Sequence, residues 1–350
     1  MTAPVKPAGP GPGTAGPGTA MLSADGVAVR FAGRGRRPAA ARAVDGVNLE
    51  IAAGEIVALV GESGCGKTTL ARTLLGLELP TAGQVRFAGE PLSYRTGALK
   101  RYRRAVQLIL QDPTGSLNPR HTVYEAVAEG VRIHRLGDEE RRVAGALARC
   151  GLRPPERFFQ RYPHELSGGQ RQRVVIAGAM VLEPQVLIAD EPVASLDASV
   201  RGEILSLLLG LRDDLGLAAL VVTHDLGLAW NIADRLAVMY LGRIVEVGTP
   251  EQVFASPRHP YTRALMSVLP ESAGEPVVLT GEPPDATRIP AGCRFHPRCP
   301  ELASGAAAAA GVDGQCRSMA LPVLPAAAPD GHSMAACHLA DVTPEPDDAP

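Results

Sequence analysis

Gly61-Glu62-Ser63-Gly64-Cys65-Gly66-Lys67-Thr68 fits G-x-x-x-x-G-K-[ST] and follows the apolar run Ile56–Val60, the setting in which such a loop wraps phosphates. Its glycines let successive backbone N–H groups converge on phosphate oxygens, and the helix that follows adds its positive end. Lys67 neutralises the β- and γ-phosphates and Thr68 holds Mg²⁺. Thr69 adds a further phosphate contact. Cys65 falls at an unspecified position and is assigned no chemistry beyond susceptibility to oxidation. Lysine is scarce, three residues (Lys6, Lys67 and Lys100) against 32 arginines, so a motif that demands one seldom arises by accident.

Downstream, Val186-Leu187-Ile188-Ala189-Asp190-Glu191 is an apolar strand ending in two acids, at the carboxyl end of a sheet where α/β proteins bind ligands. Asp190 can hold Mg²⁺ through water, and Glu191 can polarise an attacking water. Gln170 closes Leu166-Ser167-Gly168-Gly169-Gln170, 20 residues before Asp190. That pentapeptide opens a helix with two glycines, an anion site by its physics alone. His224, in Thr223-His224-Asp225, follows a further buried strand.

In this order the motifs resemble the ATP-binding subunit of an ABC transporter, over roughly residues 25–340. The resemblance implies that Ser167, Gly168, Gly169 and Gln170 close on the γ-phosphate of ATP bound to a second subunit. It places Phe31 as the aromatic on adenine. Gln111, in Leu110-Gln111-Asp112-Pro113, becomes the Q-loop glutamine on Mg²⁺, with Thr68 and Asp190. Ser195-Leu196-Asp197 becomes the D-loop at the dimer interface, and His224 the switch histidine on the γ-phosphate. The catalytic set so implied is Glu191, His224 and Gln111, with ATP and Mg²⁺ as cofactors.

Three local features are similar to the oligopeptide/dipeptide/nickel import branch. They are Gln111-Asp112-Pro113 continuing into Ser116-Leu117-Asn118-Pro119-Arg120, His259-Pro260-Tyr261-Thr262-Arg263-Ala264-Leu265, and the segment Gly292-Cys293-Arg294-Phe295-His296-Pro297-Arg298-Cys299-Pro300. The branch implies an ATPase on the cytoplasmic face of the membrane, energising import of di- or oligopeptides. Its partners would be a second, related ATPase in a heterodimer, two transmembrane permeases and, indirectly, an extracytoplasmic solute-binding protein. The same machine importing nickel or another small solute is the nearest alternative. A soluble ABC ATPase acting on nucleic acid or ribosomes fits less well, because about 100 residues separate Lys67 from Ser167, too few for a long coiled coil.

Four of the six cysteines lie in the tail, spaced Cys293-x₅-Cys299-x₁₆-Cys316-x₂₀-Cys337. This is not the C-x₂-C of common zinc ribbons or bacterial ferredoxins, so iron–sulfur, zinc and unligated thiols all stay open. The resemblance extends to those members of the branch that carry a [4Fe–4S] cluster here, which makes these four the implied ligands. His296 and His338 are candidate substitutes, and Cys150 reads as a core residue.

The elements needed to position these groups are legible as well. Val27–Phe31 and Val47–Ile51 alternate as half-buried strands, and Ile56–Val60 is a buried one. Helices are expected at Ala98–Arg104, Val123–Arg135, Glu139–Cys150 and Gln170–Met180, a helical insertion over about residues 97–182. Strands return at Val186–Ala189 and Leu220–Thr223 around a helix at Ser199–Leu211, the alternation of a parallel sheet. The expected fold is α/β, a P-loop NTPase of the ABC type with a RecA-like mixed sheet core and a helical subdomain, spanning residues 21–270. A small irregular cysteine-containing extension follows at 271–340. Residues 1–20, with five glycines and five prolines, and 341–350 are expected to be disordered tails.

Composition narrows the class. The 350 residues carry 35 Lys plus Arg against 37 Asp plus Glu, a net charge of −2, which argues against a nucleic-acid partner. With 45% hydrophobic residues, wholesale disorder is excluded. No apolar run reaches the roughly 18 residues of a membrane-spanning helix, no secretory signal is legible, and cytosolic cysteines are expected as thiols or metal ligands.

Overall fold

The computed structural model describes residues 20–32, 40–194, 196–269, 275–326 and 332–340. The expected disordered tails lie outside these residues, apart from residue 20, and so does Ser195. The chain runs β1 (Leu22–Phe31), β2 (Ala41–Ile51), β3 (Ile56–Val60), α1 (Lys67–Leu74), β4 (Ala82–Phe87), β5 (Glu90–Pro91), α2 (Thr96–Ala105) and β6 (Val106–Ile109). Helices α3 (Pro113–Ser116), α4 (Val123–Ile133), α5 (Glu139–Arg149), α6 (Glu156–Phe159) and α7 (Gly168–Met180) follow. Next come β7 (Val186–Asp190), α8 (Ala198–Leu215), β8 (Ala218–Thr223), α9 (Leu226–Ile232), β9 (Arg235–Tyr240) and β10 (Arg243–Gly248). The chain finishes with α10 (Pro250–Ala255), α11 (Pro260–Ser267), α12 (Pro300–Ala303), α13 (Ala306–Ala309), α14 (Asp313–Ser318) and β11 (Met334–Ala335).

Two sheets form. The larger has the order β11-β10-β9-β3-β8-β7-β6, parallel from β9 through β6 and antiparallel at β10 and β11. All five residues of β3 are buried, as an aliphatic strand covered on both faces must be. The smaller sheet, β2-β1-β4-β5, is antiparallel. Helix α1 is packed between the sheets: its Leu70, Ala71 and Leu74 share one core with Leu22, Val29 and Leu49 on one side and with Leu59, Leu220 and Val222 on the other. Val27, Ala28 and Val29 are buried in succession rather than alternately. Register shifts at Ala24/Val27 and Val27/Ala28 turn consecutive residues inward, the effect of a β-bulge.

The helical subdomain packs α4, α5 and α7 through Val127, Val131, Val143, Leu147, Val174 and Ala177. Thr122 starts α4 with a capping box to Glu125, which satisfies two N–H groups at the helix end. The insertion begins later than residue 97. Val106–Ile109 is an edge strand paired in parallel with β7, too short between two helices to show a period of its own. The described tail is built of short helices and β11, and it docks on the cassette: Cys293 and Phe295 share a core with Tyr240 and Tyr261, and Leu324 and Ala336 join the core around α1. Among the described residues no helix is long and apolar enough to cross a membrane.

Candidate functional site

The loop between β3 and α1 opens at the carboxyl end of the large sheet. Ser63, Gly64, Gly66, Lys67, Thr68 and Thr69 line one cleft together with Gln111, Asp190, Glu191 and His224. Residues up to about 160 positions apart in sequence therefore meet where the phosphate argument requires. Gly66 takes φ +111° as it turns into α1, and a Cβ there would lie 2.1 Å from the Ala43 carbonyl oxygen, so no other residue fits. Lys67 is buried, and its Nζ donates to the carbonyl oxygens of Gly61 at 2.6 Å and Glu62 at 2.9 Å. The ammonium is thus held inside the loop, where phosphate oxygens would compete for it.

Asp190 closes β7, Glu191 follows it, and both face the loop. Glu191 adopts φ +50°, a left-handed conformation that costs a non-glycine residue free energy and that marks functional sites when it persists. Its N–H donates to Val222 O at 2.8 Å, which fastens it to β8. The carboxylate accepts from the His224 N–H at 3.1 Å, lies 2.6 Å from His224 Nδ1 and accepts from Thr223 Oγ1 at 3.4 Å. This makes a carboxylate–imidazole pair at the mouth of the phosphate loop. Burial pushes the Asp190 carboxyl above its ordinary pKa; a hydrogen bond with Thr68 opposes the shift and the neighbouring Glu191 charge adds to it. Thr68, Asp190 and Gln111 supply the oxygen donors that a hard cation prefers. They fit Mg²⁺, whose chemistry there would be to neutralise charge building on the phosphates.

Other expected residues lie elsewhere. Ser167 to Gln170 do not line this cleft. Ser167 Oγ accepts from the Gln170 N–H at 3.2 Å, and the Gln170 side chain accepts from the Ser167 N–H at 3.1 Å, so a capping box organises an exposed end of α7. Gly169 is required there, since a Cβ would come 2.7 Å from Val200 Cγ1. Asp197 stands exposed just before α8. Phe31, 41% exposed at the end of β1, is not among the cleft residues. Nor are Gly61, Glu62 and Cys65: Cys65 is buried, and the Glu62 side chain turns away from the phosphates to meet Arg298. Ala43 and Ala286 do line the cleft, where the Arg42 N–H donates to Ala286 O at 3.0 Å. Two alanines carry no chemical signature by which a reading of residue types could find them.

In the tail, Cys293, Cys299, Cys316 and Cys337 line a single cavity with His259, His296 and His338, and none is in a disulfide. Burial pushes the Cys293 thiol up to about 12, with Cys337, Cys299 and Cys316 adding to the shift. Among the described residues no three of His, Cys, Asp or Glu gather closely enough to hold a single metal ion. His296 Nδ1 lies 2.9 Å from Cys293 O and His338 Nε2 lies 2.9 Å from Met319 O, so a ligand role would fall to each ring's other nitrogen. Cys150 is fully buried in the helical subdomain, as expected.

Comparison with known proteins agrees with this geometry. Residues 44–194 match the ABC transporter family. The dipeptide transport ATP-binding protein DppF of Haemophilus influenzae is 44% identical over 271 residues, covering 75% of this chain and 82% of that one. The chain belongs to the ABC transporter family. This ABC ATPase also matches, over residues 245–304, the C-terminal region of oligopeptide/dipeptide transporters. The DppF of Escherichia coli K12 is 44% identical, with 74% of this chain and 79% of that one covered. Among solved structures it is similar to cbiO1 of Clostridium perfringens, part of the ABC transporter complex cbiONQ (TM-score 0.61, 32% identity, 68% of this chain and 92% of that one). It is also similar to the cassette MJ0796 in a dimeric post-hydrolysis state with ADP and phosphate (TM-score 0.58, 29% identity, 66% and 99%).

Proposed function

We propose that this ABC ATPase powers import of di- or oligopeptides from the cytoplasmic face of the membrane. It would pair with a related ATPase, sit on two permease subunits and be served by an extracytoplasmic solute-binding protein. The observation that carries the reading is the joining of one hydrolytic cleft to a tail of the oligopeptide/dipeptide type. In that cleft Lys67, Thr68 and Thr69 take the phosphates, Glu191 takes the proton of the attacking water, and His224 holds Glu191 in place. Phe31 would stack on adenine. Ser167 to Gln170 and Asp197, away from this cleft, with Ser167 and Asp197 exposed, would serve ATP across the subunit interface. The cassette spans residues 21–270 and the extension 271–340.

The four tail cysteines are proposed to hold a [4Fe–4S] cluster. Four cysteines that line one cavity, the thiolate count such a cluster takes, support this reading. When bound, such a centre would supply cross-linking energy to a segment with a small core of its own.

Uptake assays test the cargo. A strain lacking this chain is complemented with wild type or Glu191→Gln, and the variant is expected to lower kcat for ATP hydrolysis at least about 100-fold. Loss of labelled dipeptide uptake supports the reading; loss of nickel uptake alone favours the nickel alternative, and retention of both overturns the importer assignment. Anaerobic purification should give about four irons per chain, reduced in Cys293→Ser, and zinc or no metal would refute the cluster.

A further inference from the structure

We infer that Arg298 and Tyr261 clamp the phosphate loop through Glu62, so that nucleotide binding and the packing of the cysteine-bearing segment are reciprocally coupled. The inference rests on the ATP site and holds whether the four sulfurs are free or ligated.

Glu62 is gripped at three points. Its carboxylate accepts two hydrogen bonds from Arg298, Nη1 to Oε2 at 2.9 Å and Nη2 to Oε1 at 3.2 Å. A two-point guanidinium–carboxylate pair fixes orientation as well as distance, and the Arg298 side chain is only 7% exposed. The Glu62 N–H donates to Tyr261 Oη at 2.8 Å. Tyr261 is itself immobilised in α11, with its ring centroid 4.7 Å from Tyr240 and 5.5 Å from Phe295. The third contact is the Glu62 carbonyl, which accepts from Lys67 Nζ. One residue thus touches the lysine that takes the phosphates and two anchors from outside the nucleotide cleft.

Both anchors stand next to the cysteine cavity. Arg298 precedes Cys299, Phe295 lies two residues after Cys293, and Cys293, Cys299 and Phe295 line the cavity. His259, two residues before Tyr261, lines it as well. The Tyr261 N–H donates to His259 Nδ1 at 3.0 Å, which leaves the ring proton on Nε2, and that nitrogen is buried without a hydrogen-bond partner. The turn that holds Tyr261 therefore offers an unused donor beside the thiols. Rearrangement of the cavity moves this turn and the 293–299 segment together, and with them the two groups that set the path of Glu62. By linkage, a nucleotide that favours one arrangement of Glu62 favours the matching arrangement of the tail by the same factor.

The test uses the full chain under anaerobic conditions, with mant-ADP binding and the rate of iodoacetamide alkylation of each cysteine read by peptide mass spectrometry. Saturating MgADP is expected to slow alkylation of Cys293, Cys299, Cys316 and Cys337 about fivefold relative to Cys150, which reports global unfolding. In Glu62→Gln, and in the milder Arg298→Lys, that nucleotide dependence should vanish and the mant-ADP Kd should rise by a similar factor. A purely structural role for Arg298 would speed alkylation equally with and without MgADP. That result, or wild-type tail rates that ignore bound MgADP, overturns the coupling. A wild-type chain that fails to bind mant-ADP would overturn the nucleotide site itself.

Discussion

Asp190 and Glu191 are adjacent acids made different by their surroundings. Glu191 sits in a left-handed conformation fastened to β8 and paired with His224, whereas Asp190 makes its hydrogen bond with Thr68. Because burial raises the Asp190 pKa, its carboxylate takes up a proton at a higher pH than a free aspartate would. A protonated acid cannot hold a cation, so Mg²⁺ affinity should fall on acidification earlier than an unperturbed aspartate predicts. Measuring the apparent Mg²⁺ Kd against pH in wild type and Asp190→Asn checks this: the acid limb should be present in the first and absent in the second. A limb of equal size in both would remove Asp190 from the cation site.

At the scale of elements, helix α7 is the sharpest case. Its N-terminus is organised by the Ser167–Gln170 capping box and by close approach of Gly169 to Val200. Gly169→Leu should push α7 off α8 and lower kcat at least about tenfold, while leaving the mant-ADP Kd of the chain's own phosphate loop within about twofold, because these residues do not line that cleft. A large loss of mant-ADP affinity would contradict the separation of the two sites. The same element shows why sequence reading succeeded where it did. The aliphatic run of β3 and the two glycines that open α7 announce their roles through their residue types. By contrast, the short edge strand β6 hid between two helices, and the bulges in β1 broke the alternation on which strand reading depends.

Over the whole molecule, the phosphate cleft was legible because its groups are chemically distinctive, even though they arrive from β3, β6, β7 and β8. The docking of the tail was not. Arg298 and Tyr261 were present in readable motifs, but nothing local in their spacing pointed to Glu62, some 200 positions away, and Arg294 likewise reaches Asp45 and Leu241 O across the fold. Such pairings are decided by tertiary topology, which a single sequence records only diffusely.

The two residues of β11 carry a consequence for solution behaviour. They hydrogen-bond along Glu246 and Val247 of β10, and the Ala336 N–H adds a bond to Val245 O, so the tail shields the β10 edge of the other six strands. Removal of everything after Leu269 would strip that shield and leave a row of unanswered N–H and C=O groups, a template for strand addition between copies. Light scattering should then show concentration-dependent oligomers growing with time where the full chain stays monodisperse; a truncated chain that remains monodisperse would show that β10 is protected by other means. The tail would on this account act as a guard against self-association.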